Sequence, residues 1–198
     1  MRPGGDAQLR SEPAPGQGVT SFPPARGRTC ADRETAAVLR IQSLASSRPA
    51  LGSALVLSGA GEHAWGPIAL GLAGALLDPG RRHAWLRATA AVAGAHAVSV
   101  VLKRLVRRRR PADPRVRVLV GTPGRWGFPS SHAASTAAAA VAYGRLLGLR
   151  APLAAVPAMM ASRVIVGVHY PSDVAAGAAI GMAMGRWAAG GLPRRARP

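Results

Sequence analysis

Two histidines and one carboxylate occur at spacings that suit nucleophilic catalysis. His169 lies four residues before Asp173, close enough for the carboxylate to reach back to the imidazole. A carboxylate on one ring nitrogen fixes the tautomer and leaves the other nitrogen free as a nucleophile. His132 is able to supply the proton that such a reaction delivers to a leaving group. Taken alone, the pair of His169 and Asp173 also fits a capping Asp beside a hydrogen-bonded interfacial histidine.

Cations accompany these residues along the chain. Arg163 lies inside an otherwise apolar segment, where a cation is costly and needs an anionic partner. Lys103 falls on one helix face with His96 and Ser99, and we expect that face to point into a helical bundle. Other interpretations stay open: Lys103 suits a helix-end cation, His96 suits structural packing, and the arginine run 107–110 suits a topology signal or contact with anionic lipid.

The stretch Pro129-Ser130-Ser131-His132 precedes an Ala-rich run. Ser130 is a typical N-cap residue, so Ser131 and His132 are expected to open a helix. The free N–H groups and the positive dipole end would hold a phosphate beside His132. The alternative is an ordinary serine cap with an incidental histidine.

Together the three blocks supply the parts that phosphoryl transfer needs. Cations neutralise the equatorial oxygens, a helix N-terminus donates N–H groups, one histidine attacks and another protonates the leaving oxygen. The cations in this interpretation are Lys103, Arg110 and Arg163.

The surrounding chain predicts one helical domain between two tails. Of the 198 residues 48% are hydrophobic but only 4% aromatic, which favours close helix–helix packing over a β-sandwich. We expect a disordered, basic, Pro/Gly-rich arm at 1–34, a helical membrane domain at 35–190 and a basic tail at 191–198. A short amphipathic helix is expected at about 35–47. The apolar segments that follow are 50–60, 64–77, 84–105, 132–148, 151–168 and 174–190.

These segments favour an all-α, membrane-embedded bundle of about five to six helices. Several fall short of the ~20 apolar residues that span a bilayer. The mean hydropathy is only +0.13, so a soluble Ala-rich bundle is the alternative. The number of segments, the scarcity of charge within them and the small-residue ridge at 177–185 support the membrane. No apolar signal-peptide core precedes them, so we expect internal helices to direct insertion.

The formal charge of +18 predicts an anionic partner: nucleic acid, an anionic membrane surface or a phosphorylated substrate. A nucleic-acid binder would need aromatics interleaved with its basic residues, and the basic loop lacks them. We therefore expect a lipid-phosphate substrate and a membrane as partners, and no nucleic acid. The eight acids form no carboxylate cluster and the single cysteine, Cys30, excludes a thiolate site, so no metal or cofactor is expected. Nothing in the sequence indicates the oligomeric state.

At these blocks the chain resembles the type 2 phosphatidic acid phosphatase (PAP2) superfamily, which includes the vanadium haloperoxidases. The family pattern is K-x6-R-P, then P-S-G-H, then S-R-x5-H-x3-D. The second block departs at Ser131, where the family has Gly. The register selects Arg110 among four arginines, so residues 107–109 keep the topological or lipid-contact role. The first and third blocks match in full at Lys103, Arg110, Pro111, Ser162, Arg163, His169 and Asp173.

The resemblance implies a role for each matching residue. His169 attacks phosphorus and forms a phosphohistidine, Asp173 orients His169, and His132 acts as general acid and then as base toward water. It also implies a metal-independent phosphatase with an all-helical fold and a site near one membrane face. The phosphate ligands it implies are Lys103, Arg110, Ser130, Ser131, His132 and Arg163.

Alternate crossing from residue 64 onward would place loops 106–130 and 169–173 on one face. Glu62 and His63 would share that face, as a head-group contact or, more simply, as a helix cap. Residues 107–109 disfavour an outward site. Even so, the positive-inside rule makes the opposite face cytoplasmic, and the site is expected on the outer face of a bacterial cell membrane. The opposite face would carry Arg81, Arg82, Arg87, Arg145, Arg150, Arg194, Arg195 and Arg197.

Several substrates fit a site at the membrane interface: phosphatidic acid, a polyprenyl phosphate or diphosphate, and a polyprenyl-linked sugar phosphate. The Ala, Arg and Gly bias indicates a GC-rich bacterial genome, which favours a cell-envelope prenyl lipid. Two further interpretations within the resemblance are a vanadate-dependent haloperoxidase, disfavoured by the short chain, and a membrane protein that kept the motifs but lost activity.

Overall fold

The computed structural model describes residues 29–60 and 64–190 and is all-helical within them, as the sequence predicts. Its described residues form seven α-helices. Six of them correspond to the predicted apolar segments, and the seventh is the amphipathic helix, which also joins the bundle. The number of helices is therefore one more than the five to six that we expected. Residues 1–28, the tail 191–198, Glu62 and His63 lie outside the described residues. The helices are α1 (Cys30–Leu44), α2 (Arg48–Ala60), α3 (Trp65–Leu77), α4 (Arg82–Val106), α5 (Ser131–Leu147), α6 (Ala155–Ile165) and α7 (Pro171–Gly190).

Helix α1 begins at Cys30, five residues before its predicted start. Thr29 Oγ1 accepts from the N–H of Asp32 at 3.3 Å, and the Asp32 carboxylate accepts from the N–H of Thr29 at 2.8 Å. This reciprocal capping box satisfies two backbone donors and fixes the start of the helix. We expected the disordered arm to extend to residue 34 because of its composition, but α1 already begins at Cys30. Residues 30–34 are helical, and Glu34 is carried by α1.

A buried polar contact fastens α1 to the rest of the bundle. Gln42 is almost fully buried, and its amide nitrogen donates to the carbonyls of Arg117 at 2.7 Å and Ile165 at 2.9 Å. In return the N–H of Arg117 donates to Gln42 Oε1 at 3.1 Å. Helix α1 is thereby held against the α4–α5 loop and the end of α6.

Helices α5 and α7 pack almost backbone to backbone along the small-residue ridge. A Cβ on Gly177 would lie 2.2 Å from the carbonyl oxygen of Ser130, and one on Gly181 would lie 2.1 Å from that of Ala134. Gly185 meets Ala138 in the same way one turn later. This confirms the close small-residue contact expected from the sequence. It brings the first turns of the two helices side by side.

The opposite end of the bundle is closed by contacts among α3, α4 and α5. Trp85 of α4 packs its ring 5.5 Å from that of Tyr143 of α5. At the start of α4, Arg81 pairs with Asp78 at 2.6 Å and donates to the carbonyl of Leu146 at 3.1 Å. The basic loops before α4 and after α5 therefore meet at this end. Helix α4 runs 25 residues from there to the region of Lys103.

Among the described residues, one helical stretch, Pro79–Val106, is long and apolar enough to cross a membrane, while Trp65–Leu77 and Ala151–Ile165 are apolar but shorter. Many large apolar side chains nevertheless face outward. Leu77 is 85% exposed and Trp65 is 70% exposed. The bundle thus has an apolar exterior as well as an apolar core.

Candidate functional site

Four helix ends meet at one end of the bundle and carry the residues singled out from the sequence. The last turns of α4 and α6 carry Lys103 and Arg163, and the first turns of α5 and α7 carry His132 and Asp173. The α4–α5 loop and the α6–α7 loop complete the region. All the predicted site residues lie here: Lys103, Arg110, Ser130, Ser131, His132, Arg163, His169 and Asp173.

His169 is the centre of this arrangement and is 1% exposed. Its Nδ1 lies 3.5 Å from Asp173 Oδ2, and its Nε2 lies 3.2 Å from Nη1 of Arg110. A guanidinium only donates, so the contact with Arg110 favours the tautomer with its lone pair on Nε2 and its proton on Nδ1, toward the carboxylate. Burial lowers the pKa of His169 well below its usual range. The ring is therefore neutral, with a lone pair on the nitrogen that faces the cations.

Asp173 is fully buried and both of its oxygens are engaged. Oδ2 faces His169 and also accepts from the N–H of Tyr170 at 2.9 Å, while Oδ1 accepts from Nη1 of Arg108 at 3.0 Å. The backbone carbonyl of Asp173 accepts from the N–H of Ser130 at 2.9 Å. One residue therefore fixes the histidine and ties α7 to the start of α5.

Arg108 was missed by the sequence analysis, which gave residues 107–109 only topological or lipid-contact roles. Its guanidinium joins the buried Asp173 to Glu34 of α1, and it also contacts the hydroxyl of Ser172. The guanidinium lies 4.6 Å from the centre of the Tyr170 ring. Glu34 accepts in addition from the N–H of Ser172 at 3.2 Å. For Arg108 the earlier interpretation is corrected: it supports the carboxylate behind His169.

No spacing rule pointed to Arg108 or Glu34. The two residues are far apart in sequence, and their contact depends on α1 lying across the loops. The composition of residues 29–34 also resembles the arm that precedes them, so Glu34 carried no signal of its own.

Arg110 contacts the reactive nitrogen, and Lys103 acts on the same ring electrostatically. Besides His169, Arg110 donates to the carbonyl of Gly124 at 3.0 Å and to that of Val168 at 2.9 Å. Lys103 donates to the carbonyl of Gly127 at 3.2 Å and to that of Pro129. Burial lowers the pKa of Arg110, because a half-buried cation loses hydration. A bound phosphate would compensate for that loss.

The start of α5 has the form expected from the sequence. Ser130 is the N-cap, and the first intrahelical bond runs from Ala134 N to Ser130 O at 3.1 Å. The N–H groups of residues 131–133 therefore lack an intrahelical acceptor. Within the described residues the buried Ser130 hydroxyl has no hydrogen-bond partner. Buried polar groups are nearly always satisfied, so this hydroxyl and these N–H groups suit an anion.

His132 at the start of α5 and Arg163 near the end of α6 complete the site. His132 interacts electrostatically with Lys103, Arg163 and His169, which places its ring among them. Arg163 is 3% exposed and donates to the hydroxyl of Ser58 on α2. The neighbouring Ser162 hydroxyl donates to the carbonyl of Ala54 at 2.7 Å. Helix α2 thus supports the end of α6, a contact that the sequence analysis did not foresee.

The arrangement suits nucleophilic attack on a tetrahedral anion. It combines a neutral histidine held by a carboxylate, a second histidine, three cations and a helix N-terminus. Among residues 29–60 and 64–190, no three His, Cys, Asp or Glu side chains are grouped as a metal site requires. The catalytic roles of the individual residues stay predictions.

Comparison with known proteins gives a consistent picture. The family model described as PAP2 superfamily matches residues 84–197. The chain is 48% identical over 167 residues to a Mycobacterium tuberculosis (strain H37Rv) protein named decaprenylphosphoryl-5-phosphoribose phosphatase, covering 83% of this chain and 94% of that protein. A protein of the same name from Mycolicibacterium smegmatis is 48% identical over 145 residues, covering 73% of this chain and 81% of that protein.

A solved structure shares the fold. It is the transmembrane PAP2 type phosphatidylglycerolphosphate phosphatase from Bacillus subtilis, with a TM-score of 0.67 and 19% sequence identity. The match covers 80% of this chain and 86% of that one. At this identity the likeness concerns the fold alone.

Proposed function

The chain belongs to the PAP2 superfamily, and from that membership we propose that it is a membrane phosphatase for a polyprenyl-linked sugar phosphate. One observation carries the chemical part of the proposal. The imidazole of His169 is held between Asp173 at Nδ1 and Arg110 at Nε2, which leaves a neutral nitrogen beside a cation. A phosphate bound by that cation would lie against the nitrogen that attacks it.

The reaction has two balanced steps. In the first, His132 starts protonated because the bound phosphate dianion offsets the surrounding cations. Nε2 of His169 forms a bond to phosphorus, the ester P–O bond breaks, and His132 delivers its proton to the leaving alkoxide. In the second, His132 takes a proton from water, the oxygen attacks phosphorus, and the P–N bond breaks to release inorganic phosphate. Asp173 stabilises the imidazolium character that develops on His169 in both steps.

The phosphate is held by groups that already converge on this point. Lys103, Arg110 and Arg163 would neutralise its equatorial oxygens, and the N–H groups at the start of α5 would donate to it. The unpartnered hydroxyl of Ser130 adds a further donor. In this proposal the reaction needs no metal, because the cations and N–H groups neutralise the charge of the phosphate.

The substrate class rests on the relatives. The two mycobacterial proteins carry a name that describes a decaprenyl lipid with a phosphorylated ribose, and the match to the first spans 94% of its length. Phosphatidic acid, polyprenyl phosphate and polyprenyl diphosphate are the competing substrates.

We place the bundle in a bacterial membrane with the site on the outer face. Exposed apolar side chains such as Trp65, Leu77 and Leu105 would contact lipid, which supports embedding. Arg81 and the basic loop after α5 lie at the end opposite the site, which the positive-inside rule assigns to the cytoplasm. Fusion of a reporter to that loop would test the orientation.

The deciding experiment is phosphate release by the detergent-purified protein in EDTA. The panel contains polyprenylphosphoryl-ribose 5-phosphate, polyprenyl phosphate, polyprenyl diphosphate and phosphatidic acid. We expect EDTA-resistant release, fastest from the ribose lipid, and its abolition by His169→Ala. Release that disappears in EDTA and returns with a divalent cation would overturn the metal-independent mechanism. Absence of release from every lipid by folded protein would favour a motif-bearing, inactive protein.

A further inference from the structure

A basic cleft opens in the α4–α5 loop, directly beside the phosphate site. Its volume is about 590 Å³. It is lined by Arg109, Arg110, Pro111, Ala112, Thr122, Pro123, Gly124 and Arg125. Of these residues only Arg110 takes part in the chemistry described above.

The cleft has a defined shape because its two walls are paired. Arg109 and Trp126 form an antiparallel bridge, and the N–H of Arg110 donates to the carbonyl of Arg125 at 3.3 Å. Gly127 N donates to the carbonyl of Arg108 at 2.8 Å, which continues the pairing toward the site. The walls are therefore two chain segments held together by backbone hydrogen bonds.

The charge of the cleft is of one sign. Three of its lining residues are arginines, and none is acidic. The one acid of the same loop, Asp113, is engaged by Arg115 at 2.9 Å. Hydrogen bonds from Arg115 lower the pKa of Asp113 to about 2, so the pair persists at neutral pH. Within the described residues no ion pair involves Arg109 or Arg125, and the Arg125 guanidinium lies 5.3 Å from the centre of the Trp126 ring, so both can pair with an added anion.

Arg110 connects the cleft with the reactive histidine. Its Nη1 lies 3.2 Å from His169 Nε2, whereas its Nε donates to Gly124, a lining residue of the cleft. An anion in the cleft would therefore be a close neighbour of the phosphate under attack. A substrate that fills both places would carry a second anionic group besides the phosphate that is cleaved.

We propose that this cleft is a second anion subsite, which binds the phosphate of the substrate that is not cleaved. On the proposed function, from which this inference proceeds, that group is the phosphodiester between the polyprenyl chain and the sugar. Arg109 and Arg125 bind its oxygens, since guanidinium groups pair well with phosphate. The subsite selects lipids with two separated phosphates over simple lipid monophosphates.

The test compares two substrates in the double variant Arg109→Gln, Arg125→Gln. The measured quantity is the ratio of kcat/KM for polyprenylphosphoryl-ribose 5-phosphate to kcat/KM for polyprenyl phosphate. Loss of charge-assisted hydrogen bonds should lower this ratio about tenfold or more. Arg115→Gln, which removes one charge from the same loop outside the cleft, should leave the ratio as in the wild type. An unchanged ratio in the double variant would overturn the subsite.

A binding measurement separates this inference from the proposed function. In the His169→Ala background, the dephosphorylated lipid polyprenylphosphoryl-ribose carries only the uncleaved phosphodiester. We expect its Kd to rise about tenfold on loss of Arg109 and Arg125. If the wild type fails to hydrolyse the ribose lipid, the proposed substrate is wrong, but this binding result still decides the subsite. Equal binding with and without the two arginines would refute it.

Two other sources of a second phosphate are distinguished in the same assays. A diphosphate lipid places its phosphates next to each other. If the double variant lost more kcat/KM on polyprenyl diphosphate than on the ribose lipid, the assignment to a sugar-linked phosphodiester would be contradicted. Competition by phosphatidylglycerol in mixed micelles as strong as that by polyprenylphosphoryl-ribose would show that the cleft takes membrane head groups, and would equally overturn the proposal.

Discussion

Arg108 donates to one oxygen of Asp173 at 3.0 Å, while the other oxygen of the same carboxylate faces His169 at 3.5 Å. The guanidinium therefore balances a buried negative charge from behind and fixes the carboxylate against the imidazole. Glu34 holds the guanidinium in place from α1. Residues that orient a catalytic or metal-binding side chain in this way are usually important for activity although they do not touch the substrate.

We predict that Arg108→Gln lowers kcat about 10- to 100-fold, by analogy with the loss of comparable supporting contacts. The lipid KM should change little, because Arg108 does not reach the phosphate. Arg108→Lys should restore part of kcat, since it keeps a cation near Asp173. Steady-state kinetics on the purified variants measures both constants.

The matched control is Arg107→Gln, which removes an exposed neighbour whose guanidinium contacts only the carbonyl of Arg104 in the described structure. It should behave as the wild type. Equal losses of kcat in the two variants would mean that the charge of the loop matters and the contact with Asp173 does not.

His132→Ala should affect substrates according to their leaving group. Loss of a general acid typically lowers the reaction rate about 10²- to 10⁴-fold, and we expect kcat to fall within that range for alkyl phosphates such as the prenyl lipids. A nitrophenyl phosphate leaves without a proton, so its first step should be nearly unaffected. The second step still lacks its base, and a phosphohistidine should accumulate on His169. Acid-labile phosphate on the protein after rapid quenching measures it. An equal loss in the rate of phosphohistidine formation from both substrates would contradict the assignment.

Ser131→Gly restores the residue of the family pattern and tests the departure directly. The backbone N–H at this position is the expected phosphate donor, and it is present with either side chain. We expect kcat/KM within about threefold of the wild type and at most about 1 kcal/mol of lost helix stability. Ser131→Ala, which removes the hydroxyl but keeps Cβ, separates the two effects. A decrease of kcat/KM by more than tenfold in both variants would show that the Ser131 hydroxyl itself binds the substrate.

Gly181→Ala should destabilise the protein without touching the site. Its Cβ would lie 2.1 Å from the carbonyl oxygen of Ala134, and a backbone atom cannot move away without separating α5 from α7. Overpacking of this kind costs about 1–3 kcal/mol. Gly52→Ala is the control, because a Cβ there meets nothing within 4 Å. Thermal unfolding in detergent should show a lower midpoint for the first variant only; equal midpoints would argue against the close packing.

The local parts of the site could be predicted from the sequence because each depends on near neighbours. Ser130 occupies the N-cap position of α5, although its side chain makes no capping hydrogen bond, and Pro171 opens α7, both at the predicted places. The four-residue step from His169 to Asp173 brings the two side chains together across the start of α7. The small-residue ridge at 177–185 likewise predicted a close helix–helix contact, but not that α5 would be the partner.

The remaining parts depend on contacts between distant segments. Arg108 meets Glu34 only because α1 begins earlier than its composition indicates and lies across both loops. Arg163 meets Ser58 only because α2 packs on α6.

The basic cleft depends on backbone pairing inside a loop that has no periodic pattern. Periodicity and capping determine where helices begin and end, and hence which residues sit at their ends. Which of those ends meet, and which arginine of a run faces a carboxylate, is decided by the packing of the whole chain.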